Sequence, residues 1–364
     1  MQKIIYYTDD PKTLSWNGGF ISSRPCFFPT LMFEENNVFF ENFKSSNSYK
    51  DDDIFYLLWN DGGCLNDTQL KFLKNHRCII GGKEAYCDQW KEYYINLNNP
   101  NLLFLFSSQG INTKNKIFLE KYWWILTYFN LVDADYNLLN GITSTKTLDK
   151  KFLLPIRTTE GPRTWRLEFY GSLVDHLDDS LFSRHDLELM LDHSLFRQSG
   201  SEVSLGSDHR ENLFSDMESN WNIMQANPEW YSKTHFSIVL ETYIKNEYPI
   251  FITEKTFKPI ANEHPFMIAS VPRTLDTLRS WGFETFNNLF DESYDDLIYE
   301  STDIRKKVQI IKKNVDNYDY SKYYDSTTLK KIKHNRELFF NLDEIKKHYT
   351  NDFLFPILDW INPK

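Results

Sequence analysis

Residues 236–266 read FSIVLETYIKNEYPIFITEKTFKPIANEHPF. From Phe236 to Glu241 the run is short and mostly apolar, as a strand covered on both faces requires. Phe251–Thr253 predicts a second, shorter strand, Thr253–Asn262 a helix and Phe266–Ser270 another strand. Strands that alternate with helices in this way build a parallel sheet. In such a sheet ligands gather at the C-terminal ends of the strands, beside the helices that begin there. The helix here opens with Thr253-Glu254-Lys255. Its N-terminus offers unpaired N–H groups and a partial positive charge, which suits a diphosphate. Thr253 can cap the helix, Lys255 can meet phosphate as a point charge, and Glu254 can accept hydrogen bonds from a ribose diol. Pro259 removes a backbone bond inside the helix, so a distorted first turn is expected.

The same alternation extends outward in both directions. Lys3–Thr8, Val38–Phe43, Ile54–Trp59, Cys78–Ile80 and Leu102–Phe106 predict buried strands, and Asp67–Asn75, Lys83–Asn96 and Lys114–Asn130 predict amphipathic helices. The polar stretch Gly141–Lys150 reads as a linker. Beyond it, Phe152–Ile156 predicts a strand and Arg163–Val174 a helix, followed by an irregular charged region to about Asn227. Thr274–Trp281 reads as a helix, and so do Asp303–Asn314 and Asp343–Tyr349 in a charged tail. The expected fold class is α/β of the GT-B kind: two Rossmann-like domains facing a cleft, with a helical C-terminal tail. The expected domains are 1–148 (acceptor side), 149–310 (ligand-binding) and 311–364 (tail).

A chain of 364 residues is long enough for two apolar cores. Its 41 Lys+Arg against 51 Asp+Glu give a net charge of −10, which argues against non-specific coating of nucleic acid or anionic membrane. Aromatic residues make up 16%, and their commonest work is core packing. Trp123-Trp124 is accordingly read as core rather than sugar platform. The densest apolar segment, Tyr122 to Val132, falls short of the roughly 20 residues that cross a bilayer. With no signal-peptide pattern at the start, a soluble, cytoplasmic chain is expected, in a host's cytoplasm if the source is viral. Cys26, Cys64, Cys78 and Cys87 show no zinc spacing and read as free thiols of a reducing compartment.

The motif-bearing segment resembles the donor-binding signature of the fucosyltransferases that use GDP-fucose. The matching residues are Phe236 and Glu241, then Phe251-x-Thr253-Glu254-Lys255, then Ala261 and the Pro265-Phe266 strand. Upstream, Leu154-Pro155-Ile156-Arg157 and Gly161-Pro162-Arg163-x-x-Arg166 resemble the strand, basic loop and helix that open that family's donor domain. The resemblance covers about residues 150–285. It implies a nucleotide-diphosphate sugar, with a GDP-sugar favoured, as donor substrate and no other cofactor. Donor contacts are expected from Arg157, Arg163, Arg166, Glu241, Thr253, Glu254 and Lys255: arginines and lysine on the diphosphate, Glu254 on the ribose. Lys255 and Arg166 are expected to be solvent-accessible. Phe251 stands where the family usually has Tyr, so a hydroxyl contact is missing. Plainer roles fit the same residues: a capped surface helix for Thr253-Glu254-Lys255, a solvated helix start for the arginines, a buried structural hydrogen bond for Glu241.

The reaction implied is an inverting, metal-independent sugar transfer. It needs a carboxylate base near the acceptor hydroxyl. Strand-end position nominates Asp61, in Trp59-Asn60-Asp61-Gly62-Gly63, with Asp9 in reserve, although a turn role fits Asp61 as well. Asp133-Ala134-Asp135 has a form that holds divalent metal in other glycosyltransferases, but it follows a helical segment rather than a strand, and no metal is expected. The acceptor is a glycan, a protein or, in the alternative reading, a hydroxylated DNA base of phage type. A third reading is a non-catalytic interaction module with the same fold.

Overall fold

A computed structural model of the chain describes residues 2–7, 38–42, 54–59, 76–82, 99–106, 116–118, 120–133, 146–156, 163–176, 178–184, 228–245, 248–297 and 304–363. The expected helices Asp67–Asn75 and Lys83–Asn96 and the residues Asp9, Asp61, Asp135 and Arg157 lie outside them, as do Cys26, Cys64 and Cys87.

Six strands come first: β1 (Gln2–Tyr7), β2 (Val38–Asn42), β3 (Ile54–Trp59), β4 (Arg77–Gly82), β5 (Leu102–Phe106) and β6 (Lys116–Phe118). They form one parallel sheet in the order β2-β1-β3-β4-β5-β6. A helix, α1 (Tyr122–Asp133), follows. The second series is β7 (Lys150–Ile156), α2 (Arg166–Ser172), β8 (Leu181–Arg184), α3 (Pro228–Lys233), β9 (Thr234–Leu240), α4 (Glu254–Ala261), β10 (Phe266–Ala269) and α5 (Thr274–Ser280). Its four strands pair in parallel as β10-β9-β7-β8. Helices α6 (Arg305–Asp316), α7 (Ser326–Phe339), α8 (Leu342–Tyr349) and α9 (Phe355–Ile361) complete the described chain. No helix among the described residues is long and apolar enough to cross a membrane.

The described residues fall into two compact units, those within Met1–Ile125 and Asp343–Lys364, and those within Leu126–Asp216 and Asn222–Leu342. The tail is therefore shared: α6 and α7 belong with the second sheet, and nearly all of α8 and the whole of α9 with the first. Arg77, at the start of β4, holds α9 in place. Its Nη1 and Nη2 donate to the carbonyls of Ile361 (3.1 Å) and Trp360 (2.5 Å), and its guanidinium lies 4.6 Å from the centre of the Trp360 ring.

The second unit has an aromatic core. Phe236 on β9 meets Phe152 on β7 (ring centroids 6.0 Å apart), Phe290 (5.1 Å) and Tyr318 (4.7 Å). Phe257 on α4 packs between Trp281, Phe283 and Phe339. Trp123 and Trp124 of α1 are buried. Many of the chain's rings are thus spent on packing, and every residue of β9 is buried, as a central strand covered on both faces requires.

Several expectations are corrected. The helix expected over Lys114–Asn130 divides into β6, which pairs with β5 from Phe104 to Phe106, and α1. The sequence shows one amphipathic run there because the strand is only three residues long. Phe251–Thr253 is not part of the sheet; the N–H and hydroxyl of Thr253 turn to Glu241 instead of to a neighbouring strand. The helix expected from Arg163 begins at Arg166. Strand β8 falls in the region read as irregular, and helix α3 follows directly after that region.

Two buried lysines set a pH dependence. Burial lowers Lys146 and Lys307 to about 8, partly opposed by Glu263 beside the first and Asp295 beside the second. Above pH 8 the folded state therefore binds fewer protons than the unfolded state, and stability rises with pH up to the ordinary lysine value near 10.5. Cys78 opposes it, because burial raises that thiol to about 12, and so do the phenols of Tyr318 and Tyr323, which burial pushes up from 10.0. Urea unfolding is expected to show stability increasing from pH 8 to a maximum near pH 10 and then falling. The Lys146→Met, Lys307→Met double variant should lose the rise, and an unchanged rise would show that the lysines do not cause it.

Candidate functional site

Strand β9 ends at Leu240, and the chain returns at Thr253 to start α4. Glu241 joins these two points. Its carboxylate is 0% exposed and accepts three hydrogen bonds: from the Thr253 N–H (Oε1, 3.0 Å), the Thr253 hydroxyl (Oε2, 2.7 Å) and the Thr256 hydroxyl (Oε1, 2.7 Å). Burying a carboxylate is costly unless its lone pairs are used, and here they are. The loop between the two points is closed at its base. Inside it Tyr243 stacks on Tyr248 (4.5 Å) and leans on Phe251 (5.9 Å).

Thr253 is the N-cap, extended at φ −114° and ψ −174°, and its hydroxyl accepts from the Lys255 N–H at 3.5 Å. The first turn is tightened by a bond from the Thr256 N–H to the Thr253 carbonyl (3.1 Å), as is common at helix starts, and Pro259 lies inside the helix. The Lys255 ammonium folds back to donate to the Thr253 hydroxyl (2.8 Å), 3.4 Å from Glu254 Oε1 and 3.8 Å from Glu241 Oε2. Its side chain remains 26% exposed. Burial pushes the Glu254 carboxyl up, but the neighbouring charges of Lys255 and then Lys258 help hold it below its ordinary value. Glu254, only 6% exposed, thus lies beside the partly exposed Lys255 cation at the C-terminal end of a central parallel strand.

The far end of α4 is equally tied. Glu263 adopts the left-handed conformation (φ 52°), and the N–H groups of His264 and Glu263 return to the carbonyls of Pro259 (3.0 Å) and Ile260 (3.3 Å). That is a Schellman closure with Glu in the place usually held by Gly. The Lys146 ammonium donates to the Glu263 carbonyl (2.8 Å), placing positive charge at the helix C-terminus. His264 is buried between Ser237 (2.9 Å) and the Thr234 carbonyl (2.7 Å), and burial lowers it well below its ordinary value, so the ring is a neutral link to β9.

Among the sequence candidates the structure brings together Glu241, Thr253, Glu254 and Lys255, and adds Arg166. Arg166 is not solvent-accessible as expected: it is 2% exposed, and its Nη2 donates to the carbonyls of Leu240 (3.2 Å) and Glu241 (2.9 Å). The side chain braces the end of β9, because carbonyls that leave a sheet need donors and a planar guanidinium can serve two. Arg163 lies half-buried in the turn before α2. Thr256 and Lys146 were not singled out in the sequence. Thr256 lies three residues after Thr253, hence on the same helix face, which was the available signal. Lys146 sits in the segment read as linker and carried none. Among the described residues no group of three or more His, Cys, Asp or Glu could hold a metal ion.

No family model and no curated protein matches the chain. Solved structures similar to it include two α1,3-fucosyltransferase structures. One is an α1,3-fucosyltransferase, with a TM-score of 0.35 and 10% identity, covering 96% of this chain and 90% of that one. Another is an α1,3-fucosyltransferase with GDP, with a TM-score of 0.30 and 11% identity, covering 89% of this chain and 92% of that one.

Arg166→Ala should destabilise the protein by about 2–4 kcal/mol, since it leaves buried carbonyls without their charged donor. Lys255→Ala, which removes a partly exposed cation, should cost under about 1 kcal/mol. Denaturant midpoints at constant m-value separate the two. Equal losses would show that the Arg166 brace contributes no more than a surface contact.

Proposed function

We propose that the chain is a glycosyltransferase of the GT-B class that takes a nucleotide-diphosphate sugar, with a GDP-sugar favoured, and transfers the sugar with inversion to an acceptor hydroxyl without a metal. The observation that carries the reading is the start of α4. Thr253, Glu254 and Lys255 stand in order at the start of α4, beside the C-terminal end of β9, with Thr253 bonded to both Glu241 and the Lys255 ammonium. The resemblance of this segment to GDP-fucose enzymes supports the donor class.

In this reading Lys255 and the positive end of the α4 dipole attract the diphosphate and gain interaction strength as it leaves with more negative charge. The N–H groups of Thr253, Lys255 and Thr256 are already bonded within the chain. Glu254 accepts from the ribose diol. Arg163 and Arg157, which follow β7 in sequence, add positive charge. Arg166 and Glu241 are assigned to the framework under these groups. The acceptor hydroxyl gives its proton to Asp61, two positions after the last residue of β3, with Asp9 in reserve. The acceptor is a glycan or protein hydroxyl, or a hydroxylated DNA base. A non-catalytic role is the second reading, and it is favoured by one observation: the Lys255 ammonium already has partners within the chain.

A ligand that binds only the folded protein stabilises it by about 2.7 kcal/mol at a hundred times its dissociation constant. Among GDP, UDP, dTDP, ADP and CMP, GDP is expected to raise the melting temperature most, and Glu254→Ala should remove most of that shift. EDTA should leave turnover unchanged, and Asp61→Asn should keep the GDP shift while losing transfer. A dominant UDP shift would overturn the donor assignment. Activity lost to EDTA and restored by Mn²⁺ would overturn metal independence. No shift with any nucleotide would favour the non-catalytic module.

A further inference from the structure

Glu241 lies beneath the candidate site, wholly buried, with nothing to offer a ligand directly. Its Oε2 lies 3.8 Å from the Lys255 ammonium, and the hydrogen-bonded link between the two is one hydroxyl. A carboxylate can only accept hydrogen bonds and an ammonium can only donate them, whereas a threonine hydroxyl has one proton to give and lone pairs to accept with. The Thr253 hydroxyl stands between the two, 2.7 Å from Glu241 Oε2 and 2.8 Å from Lys255 Nζ. Its proton must therefore point at Glu241, which leaves its lone pairs facing Lys255. The Thr253 N–H and the Thr256 hydroxyl fill the other carboxylate oxygen and fix the carboxylate plane.

We propose that Glu241 is a positioning residue that orders the Thr253 hydroxyl as an acceptor and thereby pins the Lys255 ammonium at the mouth of α4. Its value to nucleotide binding rests on the reading of that mouth as a diphosphate site. A glutamine at 241 retains the size and one acceptor oxygen, but its amide N–H₂ meets the Thr253 hydroxyl as a donor. The hydroxyl proton then turns outward, toward the ammonium, and Lys255 loses its seat. A merely structural carboxylate makes no such demand on Lys255.

The test reads Lys255 first, without any ligand. Reductive methylation of the intact protein, followed by peptide mass spectrometry, gives the labelling rate of Lys255 with the other lysines as internal reference. Glu241→Gln and Thr253→Val should speed labelling of Lys255 several-fold, and Thr253→Ser, which keeps the hydroxyl, should restore the wild-type rate. Thr256→Val removes a hydrogen bond from the same carboxylate but leaves the Thr253 link, so it should lower stability without changing the Lys255 rate. If Glu241→Gln fails to fold, the Thr253→Val and Thr253→Ser pair decides alone. An unchanged Lys255 rate in Thr253→Val, or an equal rise in Thr256→Val, overturns the proposal. Calorimetry with GDP then follows, with affinity expected to fall about tenfold in Thr253→Val and to recover in Thr253→Ser. If wild-type protein does not bind GDP while the labelling pattern holds, the nucleotide reading fails and the positioning of Lys255 stands.

Discussion

The three hydrogen bonds on the Glu241 carboxylate are what the second unit is arranged around. A parallel strand that ends in a ligand-facing loop leaves carbonyls without partners, and the helix that follows leaves its first N–H groups without partners. Glu241 and Arg166 answer both needs at once. The guanidinium takes the carbonyls of Leu240 and Glu241, and the Glu241 side chain takes the N–H and hydroxyl of the helix cap. Removing either charge leaves its own partners buried and unpaired: the carbonyls of Leu240 and Glu241 without Arg166, and the Thr253 and Thr256 donors without the Glu241 carboxylate.

The other end of α4 carries a comparable constraint. Glu263 in the left-handed region, Lys146 on its carbonyl, Arg336 beside its carboxylate (3.4 Å) and neutral His264 linked to β9 hold the helix C-terminus against the sheet. With Phe257 packed among Trp281, Phe283 and Phe339, an eight-residue helix interrupted by proline has little freedom to tilt. Isolated helices of that length do not persist in water, and this one is stabilised by its packing and its two ends.

What the sequence disclosed follows the strength of the physical signals. Strands β1, β3, β4, β5, β7 and β9 were legible because central parallel strands are continuous apolar runs, and the edge strands β2 and β10 are apolar enough to be legible too. The three-residue β6 was hidden inside an amphipathic segment, and β8 inside charged sequence, since neither is long enough to impose a period. At the site, Thr253-Glu254-Lys255 was legible as a capped, charged helix start. The burial of Arg166 was not, because an arginine at a helix start reads the same whether it points to solvent or to strand-end carbonyls. Nothing local marks a lysine such as Lys146 that acts on a helix more than a hundred residues away.

The clamp of Arg77 on α9 also bears on how the chain is made. Residues 343–364 complete the first unit, although they are the last of this sequence to leave the ribosome. The first sheet therefore waits through synthesis with the surface that α9 will cover still open, while the later unit already has its full complement of chain. At about 5–20 residues per second the interval between β6 and α9 is of order ten seconds or more, long compared with the collapse of a domain. A nascent chain of this kind finishes its earlier half after its later half, and its exposure to chaperones and proteases during that interval is set by the order of translation.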